Sequence, residues 1–333
     1  MKAARVLCGA AALCLLAGCS LFDYSAIVPK KFALVYGVAM YVAADGTSSP
    51  NLMYPAADAQ AVAKMLADNG YTVTSRWVDE TGQISVDGSP MAGQVISDTA
   101  INDNAPTRAT IQDDIAALKS QVGRNDVVVF YFSGHGMADG KHEWFIPYGG
   151  VNPVTRGGDA AMSIADDEFA DMLAVLGTPR KVVVLDTCNS GGFIGNQLEV
   201  DIVPSSSSSG LRIVTPETIA QAVQNYVTFA ASPDGVSPYG QAMVLSAAGA
   251  AESCYETTKL GGKTIAHGVM TYYFLQAAGS GDLNNDGSTT ALEAFSLVKV
   301  GIDSNWNSDP DVKAAGETFE PHVSGGPIDF VLF

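Results

Sequence analysis

Two long apolar runs dominate the hydrophobic pattern of the chain, and each leads into glycine-rich sequence. Val127–Phe132 and Lys181–Leu185 contain mainly β-branched, aromatic and aliphatic residues without polar alternation. Such uninterrupted runs are typical of strands that are buried on both faces of a parallel sheet. A similar run predicts a first strand at Phe32–Tyr41, and an alternating pattern predicts a second at Tyr71–Trp77.

Helical patterns lie between these strands. Pro55–Asn69 has an N-terminal proline, an apolar face and Gly70 directly after its end, and Thr110–Val122 has a second apolar face. A third helix is predicted to open with a capping box at Ser163–Asp166 and to run to about Leu176. The alternation of strands and helices predicts an α/β fold, in which helices cover both faces of a mostly parallel sheet.

Less regular patterns complete the prediction. Asp79–Pro106 is rich in glycine, proline and polar residues and is predicted to be a long surface loop. After Phe193 the periodicity weakens, so the remaining elements depend on shorter runs. They are strands at Tyr226–Ala231 and Met243–Ala247, helices at His267–Ala278 and Leu292–Val300, and a terminal strand at Ile328–Phe333.

Composition narrows the classes of function. The length of 333 residues is enough for one large α/β domain or two small ones. The hydrophobic fraction of 47% is enough for a sizeable core. The formal net charge is -17, and no cluster of lysine or arginine exists beyond Lys30 and Lys31. Nucleic acid is therefore not expected as a partner, because phosphate binding needs clustered cations. An acidic protein favours basic substrates or divalent cations instead.

The N-terminal residues have the pattern of an export signal. A short basic segment precedes the apolar stretch Val6–Leu15, which is too short to span a bilayer. Leu16–Cys19 resembles the lipobox of bacterial lipoproteins, in which the cysteine is acylated and becomes the new N-terminus. We therefore predict a signal peptide at 1–18, a lipidated Cys19 that begins a tether at 19–29, and an extracytoplasmic domain anchored to a membrane of the bacterial envelope. An ordinary secretory signal is the alternative.

One histidine and one cysteine follow the two buried runs. His135 lies between Ser133 and Gly136, and Cys188 lies two residues after Asp186. Because the carboxyl ends of parallel strands meet at one edge of a sheet, neighbouring strands would bring His135 and Cys188 to one cleft. A thiolate can attack a carbonyl carbon, and an imidazole can take up and return the proton. The backbone amides of Gly136 and Cys188 could form an oxyanion hole.

These residues resemble a known family. Ser133–Gly136 followed by Asp186–Gly191 is similar to the caspase-like cysteine peptidases, in particular to their bacterial metacaspase-type branch. His135 and Cys188 are 53 residues apart, which agrees with the interval of about 50 residues in caspases. The caspase sequence around the cysteine is absent, and the metacaspase form is present instead. Further similarity is found at Ala57–Ala59, His267–Tyr273 and Asp329–Leu332.

The resemblance implies a caspase-like, three-layer domain over residues 30–333. It implies that Cys188 is the nucleophile and that His135 is the general base and acid of an endopeptidase. It also implies that Asp58, Asp186 and Ser133 line a pocket for an arginine or lysine at the P1 position of the substrate, since partly desolvated carboxylates favour a guanidinium. The alternatives are a solvated helix-start role for Asp58 and a strand-end turn role for Asp186.

Residues 282–293 have the spacing of an EF-hand calcium loop. Thr289 stands where an aliphatic residue is usual, and the loop lies between two predicted helices. A polar connector is the alternative to the predicted Ca²⁺ site, which would be structural or activating, and no organic cofactor is expected. The predicted oxygen ligands are Asp282, Asn284, Asp286, the Ser288 carbonyl and Glu293.

The other reactive side chains receive smaller roles. Cys254 is predicted to be structural, and a disulfide between Cys188 and Cys254 is an alternative in an oxidising compartment. The scattered histidines His142, His267 and His322 are not predicted to be ligands. The sequence thus favours a membrane-anchored cysteine endopeptidase. A non-catalytic caspase-like scaffold and a calcium-dependent surface interaction protein are the alternative functions.

Overall fold

The computed structural model describes residues 28–41, 51–95, 104–138, 142–152, 158–188, 242–249, 252–260, 263–323 and 329–333. Residues 31–333 form one compact unit. Cys19 and the predicted strand at Tyr226–Ala231 lie outside the described residues. Within the described part, no helix is both long enough and apolar enough to cross a membrane.

The described residues contain thirteen strands and six α-helices. The strands are β1 (Lys31–Val38), β2 (Tyr71–Val78), β3 (Gln83–Val86), β4 (Ser89–Val95), β5 (Val127–Ser133), β6 (Gly136–Ala138), β7 (Glu143–Phe145), β8 (Ile164–Ala165), β9 (Arg180–Asp186), β10 (Ala242–Ser246), β11 (Glu256–Leu260), β12 (Lys263–Gly268) and β13 (His322–Val323). The helices are α1 (Pro55–Asp68), α2 (Arg108–Leu118), α3 (Asp166–Ala174), α4 (Val269–Ser280), α5 (Ala291–Gly301) and α6 (Pro310–Ala315). A π-helical turn, Ile302–Trp306, continues α5.

Eight of these strands form the central sheet, in the order β13-β10-β9-β5-β1-β2-β3-β4. The five central strands, β10, β9, β5, β1 and β2, are parallel to one another. The outer strands β13, β3 and β4 pair antiparallel. The smaller sheets are β11-β12 and β6-β7-β8. The predicted mostly parallel α/β sheet is confirmed.

Two apolar cores lie on the two faces of the sheet. Val129 and Tyr131 of β5 belong to a core that includes residues of α1, α4 and α5. Val128 and Phe130, which alternate with them, belong to a second core with residues of α2 and α3. Burying an aliphatic or phenylalanine side chain stabilises the fold by about 1.5–3 kcal/mol relative to leaving it exposed. The continuous apolar runs are therefore explained by burial on both faces, in a three-layer α-β-α arrangement.

The prediction of one long loop at Asp79–Pro106 is wrong, because β3 and β4 form a hairpin within that range. Residues 96–103 lie outside the described residues. Asp87 and Gly88 at its turn have φ values of 47° and 77°. Asp-Gly is a strong signal for a tight hairpin turn, because both positions tolerate positive φ. The Asp87 carboxylate also accepts a hydrogen bond from the Ser75 amide at 2.9 Å. Polar composition concealed this local signal.

Other boundaries also differ from the prediction. The prediction of a capping box at Ser163–Asp166 is wrong, because the N-cap of α3 is Ala165, which makes no side-chain hydrogen bond to the helix. The second helix begins earlier than predicted, with Thr107 as its N-cap, and ends at Leu118. His267 lies on β12, so the fourth predicted helix starts two residues too early. The predicted terminal strand is reduced to one antiparallel bridge between Val331 and Thr290.

The start of β1 contacts the C-terminal segment 329–333. The Lys31 ammonium group donates a hydrogen bond to the Leu332 carbonyl oxygen at 2.8 Å, and the Tyr71 hydroxyl donates to the same oxygen at 3.1 Å. Lys31 and Tyr71 are the first residues of β1 and β2. Leu332 therefore lies at the amino-terminal edge of the parallel strands.

Gly37 allows α1 to pack closely on β1. A Cβ atom at Gly37 would lie 2.2 Å from the Pro55 carbonyl oxygen and 2.8 Å from the Ala59 Cβ. Gly37 is also the β1 residue paired with Ser133 of β5. The first turn of α1, which carries Asp58, is therefore held over the carboxyl ends of the central strands.

We predict that Gly37→Ala lowers the free energy of unfolding by about 1–3 kcal/mol, the usual cost of overpacking. The added methyl group must displace helical backbone rather than a flexible side chain. Urea unfolding of the full-length chain measures the effect. Gly279→Ala is the matched control, since among the described residues no atom beyond the neighbouring backbone of its own helix lies within 4 Å of its added Cβ, and helix propensity favours alanine by up to about 1 kcal/mol. Equal destabilisation of both variants would contradict the packing argument.

Candidate active site

The carboxyl ends of β5 and β9 lie side by side in register. Ser133, the last residue of β5, is paired with Asp186, the last residue of β9. The Gly134 amide donates a hydrogen bond to the Asp186 carbonyl oxygen at 3.3 Å. His135 and Cys188 each follow two residues later, so both leave the sheet from the same edge. The neighbouring strands on which the predicted thiol–imidazole pair depends are thus present.

Gly136 brings the chain after His135 against the backbone of Cys188. A Cβ atom at Gly136 would lie 2.0 Å from the Cys188 carbonyl oxygen and 3.2 Å from the Thr187 Cβ. Only glycine fits this contact. The backbone segments that carry the imidazole and the thiol are therefore in direct contact, although they are far apart in sequence.

Tyr41 holds His135, a role that sequence analysis missed. Its hydroxyl accepts a hydrogen bond from the His135 amide at 2.7 Å and donates one to the Ile146 carbonyl oxygen at 3.1 Å. The two rings also pack, with centroids 4.7 Å apart. Burial raises the pKa of Tyr41 above its ordinary value, so the phenol stays neutral. Tyr41 follows β1, which is the neighbour of β5, and this position in the sequence could have indicated that Tyr41 lies near His135.

The Cys188 thiol faces a second thiol. Its sulfur lies 3.7 Å from the Cys254 sulfur and 3.7 Å from the Cys254 carbonyl oxygen. Both cysteines are free and half-buried. The hydrogen bond with the Cys254 side chain is the largest influence on Cys188, and it lowers the pKa of Cys188 to about 6 against the opposing effect of burial. The same contact, together with burial, raises the pKa of Cys254 well above its ordinary value. Above a pH of about 6 Cys188 is therefore the thiolate, and the Cys254 S–H donates to it. Below that pH, the Cys188 S–H can donate to the Cys254 carbonyl oxygen or sulfur.

Asp58 is deeply buried, with 1% of its surface exposed. Its carboxylate accepts hydrogen bonds from the Ser133 hydroxyl at 3.0 Å, the His267 Nδ1 at 2.7 Å and the Gly268 amide at 3.2 Å. Burial raises the pKa of Asp58, and the His267 contact opposes that rise. The alternative of a solvated helix-start acid is therefore wrong, because Asp58 faces the sheet edge rather than water.

Asp186 also lies close to Gly268. Its Oδ2 accepts hydrogen bonds from the Thr271 hydroxyl at 2.6 Å and the Thr271 amide at 3.1 Å. The Tyr131 hydroxyl lies 2.5 Å from the Thr271 hydroxyl and donates to it, since the Thr271 proton is directed to Asp186. Burial, and secondly the charge of Asp58, raises the pKa of Asp186 to about 7. Two carboxyl groups and Ser133 are thus gathered at one place.

His267 is part of this cluster, although sequence analysis gave it no role. It is the penultimate residue of β12, and the preceding Ala266 has a φ of 52°. A positive φ is unfavourable for alanine and is maintained only by the surrounding structure. A Cβ atom at Gly268 would lie 2.3 Å from the Asp186 Oδ2 and 3.1 Å from the Asp58 Oδ2. His267 and Gly268 therefore pack directly against the carboxylates, and these contacts could not be predicted from the spacing of residues in the sequence.

The calcium-like loop forms between α4 and α5. Its side-chain oxygens accept hydrogen bonds from its own backbone: Asp282 from the amides of Asp286 and Gly287, Asn284 from Asp286, and Asp286 from Ser288. Asn285 and Gly287 have φ values of 61° and 91°. The loop therefore has the sharp turn at Gly287 that the spacing predicts.

Glu293, at the last position of the loop, is only 3% exposed. Its Oε2 accepts a hydrogen bond from the Thr290 amide, and the Thr290 hydroxyl accepts one from the Glu293 amide, which completes a capping box. Its Oε1 is buried and has no hydrogen-bond partner among the residues that the structure describes. A buried carboxylate oxygen without a partner is costly, and a cation would relieve that cost.

Another group of potential ligands lies on the surface. Within the described ranges, one trio of His, Cys, Asp or Glu side chains has ligand atoms within 4.8 Å of one another, and it comprises His142, Asp166 and Asp167. The carboxylates of the 282–293 loop are not drawn together to that extent. The trio lies at the start of α3, where the helix dipole disfavours a cation.

Comparisons with known proteins give one family match and one structural likeness. A family model described as the caspase domain matches residues 30–301. A crystal structure of a protein from Geobacter sulfurreducens is similar over 91% of this chain and 93% of that chain, with 17% identity and a TM-score of 0.48. A search of curated proteins finds no match. The family match spans Asp58, His135 and Cys188, together with the loop at 282–293.

We predict that Cys254→Ala raises the pKa of Cys188 above about 6, because the thiolate loses its main hydrogen-bond donor. The pH dependence of Cys188 alkylation by iodoacetamide, followed by peptide mapping of the full-length chain, measures this shift. Cys254→Ser is the matched control, since its hydroxyl keeps a donor and should shift the profile less. An unchanged inflection in the alanine variant would contradict the assigned donor.

Proposed function

The chain belongs to the caspase-domain family of peptidases, and on that basis we propose that it is a cysteine endopeptidase with a Cys188–His135 dyad. The observation that carries the proposal is the in-register pairing of β5 and β9, which brings both residues to one edge. The lowered pKa of Cys188 supports its role as the nucleophile, because the thiolate is the attacking species.

In the proposed reaction, the Cys188 sulfur attacks the carbonyl carbon of the scissile peptide bond. The backbone amides of Gly136 and Cys188 stabilise the resulting oxyanion. His135 protonates the departing amine as the C–N bond breaks, which leaves a thioester on Cys188. Water, deprotonated by His135, then hydrolyses the thioester and regenerates the thiolate. Tyr41 fixes the position of the His135 backbone during both steps.

We further propose that Asp58, Asp186 and Ser133 select an arginine or lysine at P1 of a peptide or protein substrate. Two neighbouring buried carboxyl groups support this proposal, since no lysine or arginine in the described part of the chain contacts either one. A guanidinium would supply the missing positive charge through charge-assisted hydrogen bonds. The Asp58 oxygen that now accepts from His267 would be shared or released when the P1 side chain enters.

The location of the enzyme is proposed from the N-terminal sequence alone. Cys19 would carry the lipid, and the segment that follows would tether the domain to the outside of a bacterial membrane. Cleavage at Cys19 and its acylation are separate from the peptidase chemistry. The proposed partners are therefore a membrane, through the lipid, and a basic peptide segment, through the site.

We also propose a calcium ion in the 282–293 loop, held by Asp282, Asn284, Asp286, the Ser288 carbonyl and Glu293. Oxygen donors of this kind are the ligands that Ca²⁺ prefers. The buried Glu293 Oε1, which accepts no hydrogen bond from the described residues, supports the assignment of Glu293 as a ligand. Bound calcium would neutralise the loop carboxylates and join α4 to α5.

The endopeptidase proposal predicts cleavage of peptides after arginine or lysine by the full-length chain. In a panel that varies only P1, Cys188→Ala should abolish cleavage, and His135→Ala should reduce kcat/KM by about 10²–10⁴-fold through loss of the proton-transfer group. Asp186→Asn should reduce the preference for arginine over a neutral P1. That preference should also grow as the pH rises through about 7, where Asp186 loses its proton.

Asp68→Asn provides the control for charge, because it removes an exposed carboxylate from the same helix as Asp58. It should leave the P1 preference unchanged. If no peptide is cleaved and no thiol-reactive peptide probe labels Cys188, the enzyme proposal fails in favour of a non-catalytic caspase-like scaffold. A preference for aspartate at P1 would refute the carboxylate pocket while leaving the enzyme.

The calcium proposal predicts that Ca²⁺ raises the thermal unfolding midpoint of the chain. At a free concentration about 100 times the Kd, binding to the folded state alone stabilises by about 2.7 kcal/mol. Asp282→Asn should weaken or abolish the response, whereas Asp68→Asn should retain it. A midpoint that is insensitive to Ca²⁺, or a response equal in both variants, would count against the loop as the site.

A further inference from the structure

Cys254 is held firmly beside Cys188. Two residues before it, the Glu252 carboxylate accepts hydrogen bonds from the Gly249 amide at 3.0 Å and the Glu320 amide at 3.3 Å. Directly after it, the Tyr255 carbonyl oxygen accepts from the Val269 amide at 2.9 Å. The short segment that carries the second thiol is therefore anchored on both sides.

Aromatic packing strengthens this anchor. The Tyr255 ring stacks on Trp306, with centroids 5.7 Å apart and an interplanar angle of 29°, and it also contacts Phe319 at 5.9 Å. Cys254 itself packs against the core on that face of the sheet. The 3.7 Å separation of the sulfurs thus arises from fixed backbone on both partners: β9 for Cys188 and the anchored segment for Cys254.

We propose that Cys254 is a resolving cysteine, which converts oxidised Cys188 into a reversible Cys188–Cys254 disulfide when the protein meets a hydroperoxide. This inference rests on the proposed function, because it makes the oxidation state of the pair a control on the peptidase. It also gives Cys254 a role that a purely structural cysteine would not have. A disulfide needs an S–S distance of about 2.05 Å, so the two sulfurs must move together from their present separation of 3.7 Å.

The chemistry balances in two steps. The Cys188 thiolate attacks hydrogen peroxide, so that an S–O bond forms, the O–O bond breaks and hydroxide leaves to become water. The Cys254 sulfur then attacks the Cys188 sulfenic acid, so that the S–S bond forms and the S–O bond breaks. The hydroxyl group departs as a second water with the Cys254 proton. The sulfur pair loses two electrons, and the peroxide gains them.

The surroundings of the two cysteines favour this order of reaction steps. The thiolate character of Cys188 makes it the sulfur that reacts with peroxide first, since thiolates are the nucleophilic form. Cys254 keeps its proton and does not compete for the oxidant, but it is in contact when the sulfenic acid forms. Disulfide formation would remove the nucleophile from the site and would also protect it from irreversible oxidation to sulfinic acid.

The test uses the reduced full-length chain, hydrogen peroxide and peptide mapping without reduction. We expect a cross-linked peptide that joins Cys188 to Cys254. Alkylation of Cys188 by iodoacetamide should fall by about tenfold or more and should recover with dithiothreitol. In Cys254→Ser, no such peptide should form, and Cys188 should instead accumulate as sulfinic or sulfonic acid that dithiothreitol does not restore. Each variant is compared with its own untreated sample, and Cys254→Ala repeats the test without a hydroxyl group.

Two results would overturn the proposal. One is consumption of Cys188 in the wild type with no Cys188–Cys254 peptide. The other is recovery of Cys188 by dithiothreitol in Cys254→Ser to the same extent as in the wild type. Peptide cleavage by the reduced chain, measured in parallel, separates this inference from the enzyme proposal. A cross-link without any cleavage refutes the peptidase alone, and cleavage without a cross-link refutes the resolving cysteine alone.

Discussion

The parallel register between β5 and β9 is the constraint on which the site depends. Ser133 opposite Asp186 fixes where both chains leave the sheet, and therefore which backbone meets which. A slip of one residue would turn every side chain of a strand to the opposite face. Each face packs a different set of side chains against its own core, so a slip would exchange the two sets and disrupt the packing of both cores. The apolar runs thus determine the position of the polar residues that follow them.

Burial of two carboxyl groups at this edge opposes stability, since an isolated buried charge is costly. The protein offsets the cost with specific donors: Ser133 and His267 for Asp58, and Thr271 for Asp186. The raised pKa of Asp186 shows that the offset is incomplete. Hydrogen-bond donors thus compensate these carboxyl groups only in part, and the proposed selection of a basic P1 side chain rests on this remaining cost.

Much of this arrangement could be predicted from the sequence, but not all of it. The buried strands, the helix carrying Asp58 and the sheet edge that gathers Ser133 and Asp186 follow from local periodicity and from the rules for parallel sheets. The roles of Tyr41 and His267 were not predicted, because their hydrogen-bond partners are distant in sequence. The pairing of Cys188 with Cys254 was predicted only as an alternative disulfide, whereas both cysteines are free. The β3–β4 hairpin shows a different error: Asp87 and Gly88 carried a local turn signal that the polar composition of the wider segment obscured.

The contact between Lys31 and Leu332 lies far from the candidate catalytic residues within the same sheet. Both residues lie at the edge where the parallel strands begin, whereas His135 and Cys188 follow strands that end at the opposite edge. A substitution that breaks the Lys31–Leu332 contact would therefore act on the sheet at the edge remote from His135 and Cys188.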